Sequence, residues 1–120
     1  MTQIEIPFRP DMAILILLGR KTATSRYKQY GEPGDTFPVR DPRNDPNADE
    51  PFFLTKHYVL TNVTKRKVSE IARFCHEQEG FIDGLAFVET WVEIHPQRSF
   101  KPSDMIWYHE FIEVEKDASR

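Results

Sequence analysis

Cations and hydroxyl side chains, among which a lysine and a threonine could perform acid–base or nucleophilic chemistry, lie together near the start of the chain. The stretch LLGRKTATSR places six of them directly after one of the most apolar runs of the sequence, namely Arg20, Lys21, Thr22, Thr24, Ser25 and Arg26. A lysine held beside an apolar helix end loses hydration, which lowers its pKa and makes it a candidate general base. A threonine hydroxyl becomes a nucleophile only when a base lies within hydrogen-bonding reach. The structural alternative is that the basic residues stabilise a helix C-terminus and the threonines are ordinary strand residues.

The spacing between Lys21 and Thr24 decides whether they can share one site. In a continuous strand their side chains would point to opposite faces of the sheet, because side chains alternate with a period of two. If a helix ends at Gly19 and residues 20–22 form a turn, Lys21 can fold back over the start of the following strand. We therefore expect a helix, a turn and then an extended segment over residues 22–28.

The first half of the chain contains the elements that would position this stretch. Alternation that ends at a proline predicts a short strand over residues 4–8. The apolar run that follows predicts a helix, with Asp11 as its N-cap and Gly19 just past its end. After a turn rich in glycine and proline, the segment TFPVR (residues 36–40) predicts another strand.

The second half of the chain begins with a segment that has almost no apolar side chains to bury. Residues 41–51, DPRNDPNADEP, are expected to form a solvated, mobile excursion between strands. The β-branched and aromatic stretch over residues 52–68 predicts one long or bent strand. Two helices are expected next, one from an N-cap at Ser69 to Gly80 and one over residues 82–94. An alternating aromatic segment then closes the chain with a strand.

The order of these elements predicts an α+β fold in a single domain over residues 1–120. Strands without regularly alternating helices argue against a doubly wound parallel sheet. They favour an antiparallel or mixed sheet that curls into a small β-barrel, with helices packed around it.

Composition narrows the classes of function. The 120 residues carry a net charge of -3 and a pI of about 5.8, whereas proteins that bind long nucleic acids mainly through phosphates are usually basic. The longest apolar run is too short to span a bilayer. Cys75 is the only cysteine, so an internal disulfide is excluded and a cytoplasmic protein is expected. The four histidines lack paired-ligand spacing, so neither a metal nor another cofactor is expected.

Several short motifs, in order along the chain, resemble the ASCH domain family. They are ILILLGRKTATSR, GEPGDTF, LTNV, HEQEGF and FVETWVEIHP, followed by an aromatic last strand. ASCH domains are similar to PUA domains, which are small β-barrels with surrounding helices and a cleft implicated in binding RNA or nucleotides. Within the family, the chain looks most like the bacterial N(4)-acetylcytidine amidohydrolases. The resemblance implies a PUA-like β-barrel and a hydrolase that removes the acetyl group from N(4)-acetylcytidine or a related acylated nucleoside.

The resemblance also implies which residues perform the chemistry. The catalytic lysine and threonine of the motif fall on Lys21 and Thr24, and the catalytic glutamate falls on Glu79. Thr24 is then the expected nucleophile, Lys21 its activator and Glu79 the proton shuttle, although lysine and glutamate could exchange roles. Alternatively, Glu79 activates water and Thr24 only orients the substrate. Substrate-binding roles are expected for the neighbouring side chains Arg20, Ser25 and Arg26.

A second class of function remains open from the sequence. A PUA-like module could bind RNA without catalysis through its cations, namely Arg20, Arg26, Lys28 and residues 65–67. A cluster of lysine, hydroxyl and carboxylate could also cleave a phosphodiester, which would make the chain a ribonuclease. Trp91 is expected in the core, whereas Trp107 or Tyr108 could stack on a base.

Overall fold

The computed structural model of the chain describes residues 2–43 and 55–114. These residues form α1 (Pro10–Leu17), β1 (Ala23–Arg26), β2 (Thr36–Arg40), β3 (Thr55–Lys67), α2 (Val68–Phe74), α3 (Gly84–Ile94) and β4 (Met105–Glu113). Most of the predicted excursion, residues 44–51, lies outside the described residues, so its solvated character stays a prediction.

The four described strands form one antiparallel sheet in the spatial order β1, β4, β3, β2. β3 is the long strand that its β-branched residues predict, and a register shift between Leu60 and Asn62 bends it. The α+β class and the antiparallel sheet are confirmed. The sheet curls, but the described strands β1 and β2 lie at its two edges and do not pair with each other. The described strands therefore form a half-barrel and not the closed barrel that was expected.

Two clusters of buried side chains pack on this sheet. The first joins α1 to β2 and β3 and includes Ile16, Leu17, Phe37 and Tyr58. The second joins α2 and α3 to β1 and β4 and includes Ala23, Val68, Phe87 and Trp91. Trp91 is therefore in the core, as predicted. The chain passes from the first cluster at Leu17 to the second at Ala23, so the segment that carries Lys21 lies at their junction.

The predicted strand over residues 4–8 is wrong. Only Gln3 forms an isolated bridge, which runs parallel to Thr36. Pro7 has no amide hydrogen with which to extend a ladder. Its carbonyl oxygen instead accepts a hydrogen bond from Nη2 of Arg26 at 2.6 Å, so the N-terminal segment lies against the end of β1.

The predicted start of the first helix is also wrong. α1 begins at Pro10 with Arg9 at the N-cap position, and Asp11 lies in the first turn instead of capping it. A proline is favoured at the first helical position because the amide it lacks would have no partner inside the helix. The carboxylate of Asp11 still favours the helix, since it lies near the positive end of the helix dipole.

The second predicted helix is shorter than its pattern indicates. α2 begins at Val68, one residue before the predicted cap Ser69, and ends at Phe74 instead of reaching Gly80. Residues 76–80 form turns. Glu79 therefore lies on a turn, where its backbone can approach a neighbouring segment more closely than the side of a helix would allow.

The third helix begins two residues later than its predicted range. The carboxylate of Asp83 accepts a hydrogen bond from the amide of Ala86 at 2.8 Å, which caps α3. α3 has 11 residues, and none of the helices in residues 2–43 and 55–114 is long and apolar enough to cross a bilayer.

Candidate functional site

A helix-ending turn directs Lys21 back toward the second half of the chain. Gly19 has a φ of 78°, a left-handed conformation that favours glycine. Its amide and the amide of the next residue donate to the carbonyl oxygens of Ile16 and Leu15, each at 2.9 Å. This Schellman arrangement satisfies the last helix carbonyls, and it produces the turn that the sequence predicts after the helix.

The start of β1 is held against the turn that carries Glu79. The amides of Thr22 and Ala23 both donate to the carbonyl oxygen of Gln78, at 2.7 and 3.0 Å. These bonds join segments that are far apart in the sequence. They place the backbone of Lys21 beside that of Glu79.

Lys21 and Glu79 form a buried ion pair. Nζ of Lys21 lies 3.1 Å from Oε1 of Glu79 and 3.0 Å from its carbonyl oxygen. Only 4% of Lys21 and 3% of Glu79 is exposed. Burial lowers the pKa of Lys21 below its ordinary value, although the attraction of Glu79 opposes this shift. The structure thus brings together the lysine and the glutamate that the sequence motifs indicate.

Gly80 permits this close approach. Its φ is 94°, again in the left-handed region. A Cβ atom at this position would lie 3.1 Å from Cδ1 of Leu15 and 3.3 Å from Cβ of Lys21. Both the backbone conformation and the available space therefore favour glycine directly after Glu79.

The hydroxyl that binds Glu79 belongs to Ser25. It donates to Oε2 of Glu79, so the carboxylate lies between the lysine and the serine. The hydroxyl of Thr24 instead accepts from Nε of Arg26 at 3.2 Å. Among the hydrogen bonds of the described residues, none joins Lys21 to Thr24.

These side chains line a cavity of about 570 Å³. Its walls come from the N-terminal segment, β1 with the residues that follow it, the turn at Glu79, and α3. Five of the six predicted site residues line it, namely Lys21, Thr24, Ser25, Arg26 and Glu79. Arg20 is the exception: it is exposed and does not line the cavity.

One wall of the cavity combines cations with aromatic rings. The guanidinium of Arg26 lies 5.0 Å from the ring centroid of Phe8 and 5.3 Å from that of Tyr30. Nζ of Lys28 lies 5.1 Å from the same Tyr30 ring. Such contacts hold a cation over an aromatic face while it stays charged, so this part of the lining is positive.

Another part of the lining is an aromatic cluster that the sequence analysis did not identify. The ring of Tyr27 lies 5.1 Å from that of Trp91, and the ring of Trp91 lies 4.3 Å from that of His95. The guanidinium of Arg98 lies 4.1 Å from the centroid of Tyr27. Aromatic faces of this kind can stack on a planar ring. Tyr27, the aromatic residue directly after the KTATSR motif, is the part of this cluster that the sequence could have indicated. Its partner on α3, Trp91, is distant in the sequence and could not be inferred.

His109 supports the site through hydrogen bonds to residues that line the cavity, a role that the sequence did not predict. It is fully buried on β4, opposite Thr24 on β1. Nδ1 is 3.2 Å from the carbonyl oxygen of Thr24, and Nε2 accepts from the amide of Tyr30 at 3.1 Å. Since Nε2 accepts, the proton of the neutral ring is assigned to Nδ1. Burial lowers the pKa of His109 below its ordinary value, so the ring stays neutral and links both ends of the cavity wall.

Other residues that the sequence analysis named lie elsewhere. Trp107 is half-buried with Nζ of Lys65 5.3 Å from its ring, Tyr108 is buried in the second core cluster, and neither lines the cavity. Residues 65–67 also lie outside its lining. Glu77 is exposed, in contrast to Glu79 two residues later. Within residues 2–43 and 55–114, no group of three histidine, cysteine, aspartate or glutamate side chains is arranged to hold a metal ion.

No protein-family model and no curated protein matches the chain, but solved structures share its shape. Protein EF3133 from Enterococcus faecalis, of the family DUF984, superposes with a TM-score of 0.65 at 17% sequence identity, over 95% of this chain and 81% of that one. An ASCH domain from Lactobacillus crispatus superposes with a TM-score of 0.60 at 18% identity, over 93% of this chain and 79% of that one. The chain therefore has an ASCH-like fold, as its motifs predict.

Proposed function

We propose that the chain is a hydrolase that removes the acetyl group from N(4)-acetylcytidine or a related acylated nucleoside. The observation that carries this proposal is the buried pair of Lys21 and Glu79 on the wall of an aromatic cavity. A buried ion pair contributes little net stability, because the cost of desolvating both charges offsets their attraction. Its position on a cavity therefore favours a role in chemistry.

The side chains around this pair can supply the parts of an amide hydrolysis. The reaction needs a nucleophile, a base that activates it, an acid for the departing amine and a positive group near the oxyanion. The carboxylate of Glu79 can accept and return a proton. Lys21 uses two of its three ammonium hydrogens on Glu79 and can present the third to an oxyanion. The cavity supplies two candidate hydroxyls, those of Thr24 and Ser25.

The size and walls of the cavity favour an acylated nucleoside. Its volume of about 570 Å³ falls in the range of roughly 300–1,000 Å³ that is typical of small-molecule sites. The rings of Tyr27 and Trp91 line the cavity, and an aromatic wall of this kind suits a pyrimidine base. Arg26 has donors beyond the two that it uses on Thr24 and Pro7, and these can bind carbonyl oxygens of an acylated base.

Acetate release from N(4)-acetylcytidine tests the proposal. Lys21→Ala and Glu79→Ala should each lower turnover by roughly 10³-fold or more, because each removes one member of a cooperating set. Glu77→Ala is the matched control, since this exposed carboxylate does not line the cavity, and it should keep the wild-type rate. Circular dichroism checks the fold of each variant. A wild type without turnover, or Lys21 and Glu79 variants with unchanged turnover, would contradict the proposal.

A second candidate function is RNA binding by a PUA-like module, with or without ribonuclease activity. It is supported by the positive charge of the residues that line the cavity, in a chain whose net charge is negative. The described lining residues include one carboxylate, Glu79, beside the cations Arg9, Lys21, Arg26, Lys28 and Arg98. A local positive surface of this kind attracts phosphates even when the net charge is negative.

Filter binding of a single-stranded RNA at low and moderate salt tests this second function. Lys28→Ala should weaken binding and lower the salt slope by about one, because it removes one phosphate contact. Lys65→Ala is the control, since Lys65 lies off the cavity. Equal weakening by both variants would show that binding does not use the cavity, and shortened RNA after incubation would indicate ribonuclease activity.

A further inference from the structure

We propose that Ser25, and not Thr24, is the nucleophile of this site. The inference rests on the amide hydrolysis proposed above and assigns its attacking atom. It differs from the expectation taken from the sequence motif, in which the hydroxyl of Thr24 performs this role. The difference follows from which hydroxyl the structure places against Glu79.

Each carboxylate oxygen of Glu79 has its own partner. Oε1 accepts from Nζ of Lys21 at 3.1 Å, and Oε2 accepts from the hydroxyl of Ser25. The second bond of Lys21, to the carbonyl oxygen of Glu79 at 3.0 Å, fixes the lysine relative to the backbone. All three residues are buried and line the cavity. The Ser25 hydroxyl therefore contacts a base and borders the space in which a substrate would lie.

Thr24 has no such base. Its hydroxyl oxygen accepts from Nε of Arg26 at 3.2 Å, and a guanidinium has no lone pair with which to take a proton. Among the described residues, no carboxylate or imidazole is hydrogen-bonded to this hydroxyl. Donation from a cation also draws electron density away from the oxygen, which weakens it as a nucleophile. The Thr24 hydroxyl can still donate its own hydrogen to a substrate oxygen.

The reaction then runs in two halves, with Glu79 carrying one proton in each. In the first half, the hydroxyl proton of Ser25 passes to Oε2 while Oγ bonds to the acyl carbon, and the amide oxygen becomes an oxyanion beside Lys21. The carbonyl re-forms, the C–N bond breaks, and Glu79 gives its proton to the departing amine, which leaves an acyl ester on Ser25.

In the second half, water attacks the ester carbon and gives a proton to Glu79. The bond between the acyl carbon and Oγ of Ser25 breaks, the carboxylic acid leaves, and the proton on Glu79 returns to Oγ. The enzyme is restored, and one water has been consumed for each amide cleaved.

Methanesulfonyl fluoride tests the assignment without the substrate. This small reagent sulfonylates an activated hydroxyl irreversibly and releases fluoride. Mass spectrometry of the purified full chain should find one methanesulfonyl group, on Ser25. Thr24→Val removes the other hydroxyl with little change in shape, and this variant should still take up the methanesulfonyl group. The Ser25→Ala variant should not take it up. Glu79→Gln should slow labelling by roughly 10²-fold or more, because it removes the base.

The outcomes separate this inference from the proposed function. A label on Thr24, no label on the wild type, or unchanged acetate release by an active Ser25→Ala variant would overturn the assignment of Ser25. A wild type that is labelled at Ser25 but releases no acetate from N(4)-acetylcytidine would support the activated serine. It would refute only the proposed substrate.

Discussion

Replacing Lys21 alone should destabilise the protein more than replacing Lys21 and Glu79 together. Methionine keeps most of the length and volume of the lysine side chain but has no ammonium group. In Lys21→Met, the buried carboxylate of Glu79 loses the donor 3.1 Å from Oε1, and its carbonyl oxygen loses the donor at 3.0 Å. A buried charge that has lost its partner typically costs about 3–5 kcal/mol. That is a large part of the roughly 5–15 kcal/mol by which domains are stable.

The double variant Lys21→Met with Glu79→Gln should recover much of this loss. Glutamine removes the charge, and its amide oxygen can still accept from the Ser25 hydroxyl. The remaining cost is that of unmade neutral hydrogen bonds, about 1–3 kcal/mol. The single variant Glu79→Gln should cost less than Lys21→Met, because a buried lysine without a partner favours its neutral form and glutamine can still accept a hydrogen bond from it.

Urea unfolding of the wild type, both single variants and the double variant, followed by circular dichroism near pH 7, measures the coupling. We expect the free energies of unfolding to be non-additive by about 2 kcal/mol or more. The reasoning fails if Lys21→Met costs less than about 1 kcal/mol. It also fails if the two single changes sum to the double change, since either result would show that water screens the pair.

Three further predictions concern the support of the site. Gly80→Ala should lower the free energy of unfolding by about 1 kcal/mol or more and reduce turnover, because its φ is 94° and the added methyl would press on Lys21; urea unfolding that matches the wild type would contradict this. Tyr27→Ala should raise KM for N(4)-acetylcytidine roughly tenfold with a smaller change in kcat, since a stacking ring contributes about 1–3 kcal/mol to binding; steady-state kinetics measure the split. His109 stays neutral in the fold while the unfolded chain takes up a proton below about pH 6.5. The free energy of unfolding should therefore fall as the pH drops below that value, and less so in His109→Gln, as urea titrations near pH 7 and pH 5 would show.

Local patterns were enough to predict the elements on which the site is built. The apolar run followed by Gly19 marks a helix end, because glycine adopts the left-handed conformation that closes the helix. The β-branched stretch of β3 and the alternation of β4 describe strands whose two faces differ in burial. These signals depend on residues that are neighbours along the chain, so the sequence alone carries them.

The wrong predictions concern elements whose bounds depend on contacts with segments that are distant in the sequence. Alternation over residues 4–8 predicts a strand, but Pro7 lacks the amide that a strand at this position would use. The end of α2 at Phe74 depends on how the following turn packs against β1, since Gln78 accepts from the start of that strand. The role of His109 depends on the register of β4 against β1, which pairs it with Thr24. The sequence alone does not show which residues face each other across two paired strands, so such partners cannot be predicted from it.

The choice between Thr24 and Ser25 depends on the same kind of information. Their side chains alternate in direction along β1, as neighbouring residues of a strand do, although both line the cavity. Lys21 lies before the strand begins, and its turn brings it to the carboxylate that also binds Ser25. A shift of one residue in the start of β1 would exchange the two hydroxyls. The sequence motif indicates Thr24 as the nucleophile and Ser25 as a substrate-binding residue, whereas the bonds of Thr22 and Ala23 to the turn at Gln78 fix the register that places Ser25 against Glu79. Labelling at Ser25 would consequently report the register of β1 as well as the identity of the nucleophile.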